Sequence, residues 1–167
     1  MSYHSYIASN FPLEDVDNPH LKRMSANEAE KKGIVIPDLF LDPEDRDSPD
    51  AILFINDQKC LGDLSIRKID KDLSELDFHT ALAYCSTMEW SFTENRAEKL
   101  IEYIRAHMDK ASSVEIWNIW LSTKRDQRVR RTRHINTDDL GPSDFRDMFM
   151  DRDSDEYCIA ITKKIGK

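Results

Sequence analysis

Glycine is scarce in this chain: only four of its 167 residues are glycine. Nucleotide-binding enzymes commonly cradle phosphates in glycine-rich loops, because the backbone must approach the phosphate closely. Neither the G-x-x-x-x-G-K-S/T loop nor the G-x-G-x-x-G turn occurs, and the G-x-S-x-G turn that presents a hydrolase nucleophile is also missing. These absences exclude P-loop and Rossmann-type nucleotide-binding enzymes, and no other catalytic signature stands out.

Cysteine is sparse and irregularly placed. The three cysteines never form a C-x-x-C pair and each lies in an apolar stretch, which predicts buried thiols rather than disulfides: Cys60, Cys85 and Cys158. The five histidines show no H-x-x-x-H or H-E-x-x-H spacing: His4, His20, His79, His107 and His134. From the sequence we therefore assign no metal ligand, no cofactor and no catalytic residue.

Long apolar runs are missing as well. No segment approaches the roughly 18 apolar residues of a membrane span, and the N-terminal residues lack the pattern of a signal peptide. We therefore expect a cytoplasmic protein that does not enter a membrane. The formal net charge is -8, so the long-range field repels phosphate backbones and anionic lipids. Nucleic acid is accordingly disfavoured as a partner, and another protein is favoured.

The chain does contain enough apolar residues, 40% of the total, to fold around a core. Its length fits one domain, residues 1–167. Alternating and β-branched patterns predict strands at 3–11, 51–56, 61–69, 78–92, 114–121, 128–136 and 157–162, and helical spacing predicts helices at 26–32, after Thr93 and at 143–150. This order, β-α-β-β-β-α-β-β-α-β, indicates an α+β fold with a mixed, mostly antiparallel sheet and two or three helices.

Local signals set several details of this prediction. Ser25 and Glu28 have the spacing of a capping box, Thr93 is the expected N-cap of the longest helix, and Ser143 that of the last. The strands 51–56 and 61–69 are expected to form a hairpin. The strand 114–121 is apolar on both faces and should be central. The acidic, proline-broken segment 37–50 is predicted to be a mobile loop.

An acidic repeat near the C-terminus has the spacing of calcium ligands. Asp151, Asp153 and Asp155 match the first three ligand positions of an EF-hand loop. The sixth position is Glu156 instead of glycine, and the twelfth is Thr162 instead of a bidentate carboxylate. We therefore interpret the segment as a solvated turn, and the acidic segment 37–50 in the same way.

A cationic run stands out in this acidic chain. Lys124, Arg125 and the residues that follow place positive charge on both faces of the strand 128–136, which indicates an edge strand. Cationic edges protect sheets from aggregation, and a run of this kind can also bind an anion or an acidic protein. No aromatic residue interrupts the run, as base stacking would require. The candidate binding residues are Arg128, Arg130, Arg131, Arg133 and His134.

Two classes of function remain. The favoured one is a non-catalytic, inhibitor-like or regulatory protein that binds a macromolecular partner through a charged surface, either the acidic loop or the cationic edge. The alternative is a small enzyme whose site is assembled only in three dimensions. Its candidate residues are His79, His134 and Cys85, with an Asp or Glu partner, although a cysteine inside an apolar strand is usually a core residue.

Overall fold

A computed structural model describes residues 3–36, 46–69, 80–120, 127–151 and 153–163. These residues confirm the α+β class: three helices accompany a mixed six-stranded sheet and a two-stranded antiparallel sheet. The chain divides into two compact units. The larger contains Met1–Asp17 and Leu64–Lys167, and the smaller is Asn18–Asp63.

The larger unit is built on the six-stranded sheet, whose strand order is β4-β5-β1-β6-β8-β7. Its strands are β1 (Tyr3–Ser9), β4 (Ser65–Lys68), β5 (Tyr84–Glu89), β6 (Ser113–Trp120), β7 (Arg130–Asn136) and β8 (Glu156–Thr162). Its helices are α2 (Glu94–His107) and α3 (Pro142–Met150). Among the strand pairs of the described residues in this sheet, only that of β7 and β8 is parallel. The predicted mixed, mostly antiparallel sheet is therefore confirmed.

Helix α2 links two strands that do not touch each other. β5 and β6 both run antiparallel to β1, so they are parallel to each other with β1 between them. The Thr93 hydroxyl accepts a hydrogen bond from the Arg96 amide at 3.2 Å, which confirms the predicted N-cap. Below it the predicted apolar stripe is buried: Ala97, Leu100, Ile101 and Ile104. The stripe packs with Ile7, Ile116 and Ile159 of the sheet, and this contact removes its apolar side chains from water.

The strand β6 lies in the middle of the sheet, as its two apolar faces predicted. One face contributes Val114 and Ile116 to the cluster that includes α2 and α3. The other face contributes Trp117 and Ile119 to a second cluster with Ala8, Cys85, Cys158 and Ala160. Trp120 is half-buried at the end of the strand, whereas Trp117 is only 3% exposed. The sequence therefore identified the central strand correctly.

The smaller unit pairs β2 (Leu21–Met24) with β3 (Ile52–Ile55) and contains the short helix α1 (Ala26–Lys31). The Ser25 side chain accepts a hydrogen bond from the Glu28 amide at 3.1 Å, which is one half of the predicted capping box, while the Glu28 carboxylate contacts Lys32. Gly33 follows the helix with φ +78, a left-handed backbone conformation that residues with a Cβ atom rarely adopt. A 3-10 turn, Gln58–Cys60, follows β3.

Three predictions of local structure were wrong. The hairpin between 51–56 and 61–69 does not form, because β3 pairs with β2 and β4 pairs with β5. The strand β2 was missed, since its four residues are too few to show a period. Helix α3 begins two residues earlier than the predicted Ser143 cap implies: its N-cap is Gly141, whose amide donates to Asp144. Residues 37–45 of the predicted acidic loop lie outside the described residues, and the single domain over 1–167 stays a prediction.

Candidate functional site

The cationic strand β7 is the edge of the six-stranded sheet, as predicted, and its arginines face carboxylates of the same chain. Two arginines on one face of β7 form ion pairs with carboxylates of α3 and with Asp151, the residue that follows α3. Arg133 contacts Asp144 at 2.7 Å and Asp147 at 3.0 Å, and Arg131 contacts Asp151 at 2.9 Å. Two of these carboxylates are buried, with side-chain exposures of 6% for Asp144 and 4% for Asp151. Helix α3 is therefore bound to the edge strand by ion pairs.

The remaining two arginines converge on Glu156 at the start of β8. Arg130 contacts the Glu156 carboxylate at 2.8 Å and Arg128 contacts it at 3.4 Å. The side chains of Arg128 and Glu156 are each only 2% exposed, so this ion pair is buried. Arg130 also lies over the ring of Trp117, 5.2 Å from its centroid, in a cation–π contact. The parallel register of β7 and β8 aligns Arg130 with Glu156 and fixes this geometry.

The predicted binding residues are thus separated by their environments. All four arginines are ion-paired within the chain, whereas His134 is exposed on the strand opposite Ala160. That these residues bind a partner stays a prediction. Their pairing offsets much of the positive charge on which that prediction was based, and sequence reasoning missed the pairs because each joins residues 11 or more positions apart.

Two carboxylates of the acidic repeat, those of Asp151 and Asp155, accept hydrogen bonds from groups of the protein. Asp151 accepts hydrogen bonds from the amides of Asp153 and Ser154 at 2.8 and 3.0 Å, in addition to its Arg131 contact. Burial by itself would raise the pKa of Asp151, but these hydrogen bonds outweigh it and hold the pKa below its ordinary value. Asp155 accepts from the Val129 amide at 3.0 Å. The predicted solvated turn is therefore wrong for Asp151, whose side chain is 4% exposed and is bound by groups of the chain instead of by water.

The thiols of Cys85 and Cys158 are buried, as predicted, while Cys60 is half-buried. Burial raises the pKa of Cys85 to about 12, so the nucleophilic thiolate is suppressed at neutral pH. Three strands lie between β5, which carries Cys85, and β7, which carries His134. Four interstrand spacings of about 4.8 Å place the two strands roughly 19 Å apart. These two residues therefore form no nucleophile and base pair, and His79 lies outside the described residues.

A different feature was not anticipated: an aromatic pair at the end of the sheet where β1 begins and β6 ends. The rings of Tyr3 and Trp120 lie 5.0 Å apart, because the two residues are opposite each other in the β1–β6 register. Clefts of about 320 and 290 Å³ flank the pair. We name this region the aromatic rim, and define it by Tyr3, Trp120 and the acidic residues that line the clefts, Glu89, Asp153 and Asp155.

Each cleft of the aromatic rim is also lined by a residue with a buried polar atom that has no partner. Among the described residues these atoms are Trp90 Nε1 and Ser154 Oγ; Trp90 lines the first cleft and Ser154 the second, and both atoms are shielded from solvent. Phe145 and Phe149 contact the Trp90 ring in edge-on geometry and hold it in place. An unsatisfied buried polar group costs about 1–3 kcal/mol.

No protein-family model, curated protein or solved structure significantly matches this chain. None of the helices in the described part of the chain combines the length and the apolar character that crossing a membrane requires.

Proposed function

We propose that this chain is a non-catalytic binding protein whose partner is a basic protein, and that the aromatic rim is the contact surface. The observation that carries the proposal is the combination, in the two clefts that share Tyr3, of the Tyr3 and Trp120 rings with the exposed acidic residues Glu89 and Asp153. A lysine or arginine side chain is attracted by both, through cation–π contacts with the rings and ion pairs with the carboxylates.

The charge distribution supports a basic partner. The formal net charge is -8, and the arginines of β7 are already paired with Glu156, Asp144 and Asp151. The strand therefore offers little uncompensated positive charge to an acidic partner. Since like charges repel, an acidic chain of this kind is steered toward a cationic surface.

The unpartnered polar atoms support a peptide or protein rather than a small cation. Trp90 Nε1 is a donor only, so it suits a carbonyl oxygen, whereas Ser154 Oγ both donates and accepts. A protein segment presents carbonyl and amide groups beside its basic side chains. Both atoms are buried, so binding to either one requires the cleft wall to move.

The free state of all three cysteines supports a location in the cytoplasm, because thiols in oxidising compartments usually form disulfides. We therefore include cytoplasmic location in the proposal. Imaging of the tagged full chain in its native cell tests this, and accumulation outside the cytoplasm would contradict it.

A pair of charge-matched variants tests the contact surface. Asp153→Asn with Glu89→Gln removes two exposed charges from the aromatic rim, and Glu98→Gln with Glu102→Gln removes two exposed charges from α2. The probe is a fluorescent lysine-rich peptide, measured by anisotropy at two salt concentrations. We expect about tenfold weaker binding for the rim variant only, equivalent to ~1.4 kcal/mol, and weaker binding of the wild type at the higher salt.

Affinity purification from the native cell with the same three proteins extends the test to the natural partner. Basic proteins should be recovered by the wild type and the α2 variant and should be lost with the rim variant. Equal weakening in both variants would show that net charge alone drives binding and would refute the rim as the contact. Absence of peptide binding by the wild type would refute the basic partner.

A further inference from the structure

The smaller unit brings together three side chains whose atoms suit a transition metal. His20, Cys60 and Asp63 each offer one ligand atom, and these nitrogen, sulfur and oxygen atoms all lie within 4.8 Å of one another. We propose that these residues form a metal site of the zinc class. The proposal is independent of the aromatic rim and of its partner.

The fold explains why residues 40 positions apart meet. In the antiparallel pair of β2 and β3, Leu21 lies opposite Ile55. His20 immediately precedes β2, and the turn that carries Cys60 and Asp63 follows β3, so both lie at the same end of this sheet. A sequence pattern cannot show this, because only the strand pairing places the histidine beside the turn.

A buried asparagine ties the two segments together. Asn18 is 6% exposed; its side-chain oxygen accepts from the His20 amide at 2.9 Å, and its side-chain nitrogen donates to the Cys60 carbonyl at 2.8 Å. The Asp63 amide donates to the same Cys60 carbonyl at 3.1 Å. Three ligand-bearing residues therefore have their backbones fixed by one hydrogen-bonded network, as supporting groups do around metal sites.

The distances are close to those of a tetrahedral site. Zinc bonds of about 2.0–2.3 Å at tetrahedral angles place neighbouring ligand atoms roughly 3.4–3.6 Å apart. His20 Nε2 and Asp63 Oδ2 are 3.5 Å apart and already have this spacing. The Cys60 sulfur lies within 4.8 Å of both atoms, so it has to approach them by about 1.2 Å at most to reach this spacing.

The ligand types select the metal. A thiolate and an imidazole favour zinc and similar transition metals, whereas magnesium and calcium require oxygen ligands. Three protein ligands leave the fourth tetrahedral position to water or another small ligand. His20 has 52% of its side chain exposed, so the metal has a path from solvent.

The test uses the full chain, reduced and freed of metal with a chelator. Zn²⁺ is titrated against a coloured competing chelator, and Co²⁺ is added as a spectroscopic probe. We expect one equivalent of either metal to bind. Co²⁺ should give the visible bands of a tetrahedral site and a near-ultraviolet thiolate-to-metal band, and the affinity should fall as the pH is lowered because the ligands must lose protons.

Three ligand variants and two controls decide the assignment. Cys60→Ser, His20→Ala and the near-isosteric Asp63→Asn should each weaken Zn²⁺ binding at least tenfold, roughly the lower bound for losing even an outer-shell partner. Cys60→Ser should also abolish the thiolate band. The controls His134→Ala and Asp50→Asn alter an exposed histidine and an exposed carboxylate outside the cluster and should bind like the wild type.

Circular dichroism of each variant before titration separates lost binding from lost folding, and Asp63→Asn provides a ligand change of nearly unchanged shape. The proposal is overturned if the wild type binds no stoichiometric metal. It is also overturned if folded ligand variants keep the wild-type affinity for Zn²⁺. The same holds if the two control variants lose as much affinity for Zn²⁺ as the ligand variants lose.

Discussion

Neutralising Glu156 tests the buried ion pair that joins β7 to β8. In Glu156→Gln the side chain keeps its shape, but the Arg128 guanidinium, whose side chain is 2% exposed, loses its carboxylate. Removing one partner of a buried pair costs about 3–5 kcal/mol, because the other charge stays out of water. Arg128 has a further interaction and Arg130 is 38% exposed, so we expect the lower end, ~3 kcal/mol.

The loss is measured by urea denaturation followed by both fluorescence and circular dichroism, with coincident curves as the condition for a two-state treatment. For a chain of this size ~3 kcal/mol also corresponds to a fall in Tm of about 6–12 °C. Glu94→Gln is the matched control, because its pair with Arg146 is exposed on both sides. It should cost at most about 1 kcal/mol.

A loss below about 1 kcal/mol for Glu156→Gln, or an equal loss in the control, would refute this reasoning. It would mean that the guanidinium of Arg128 is compensated elsewhere or hydrated. A double-mutant cycle with Arg130→Gln then measures how much of the effect belongs to the half-exposed arginine.

Two further predictions concern a thiol and a helix cap. The pKa of Cys85 rises from 9.0 to about 12 on folding, so the native state keeps a proton that the unfolded state loses between these values. Stability should therefore fall as pH rises through this window, and less steeply in Cys85→Ala; an unchanged slope would contradict the shift. Thr93→Ala removes the α2 cap and should lower the free energy of unfolding, measured in urea, by about 1 kcal/mol. The control Thr132→Ala changes an exposed threonine and should alter this free energy by less than about 0.5 kcal/mol.

The sequence determined most of the local structure. The α2 helix follows from a capping threonine and an apolar stripe, and the central strand β6 follows from apolar residues on both of its faces. Such signals lie within a few residues of each other, so they act before any long-range contact forms. The burial of Cys85 and the position of β7 at the sheet edge were predictable for the same reason.

The tertiary structure decided what these elements do to one another. The pairing of β3 with β2, the ion pairs of the β7 arginines, the aromatic rim and the His20, Cys60 and Asp63 cluster all join residues distant in sequence. A single sequence carries composition and period but not register, and register decides which side chains become neighbours. The cationic run is visible in the sequence, but only the β7–β8 register and the position of α3 bring its arginines against carboxylates of the same chain.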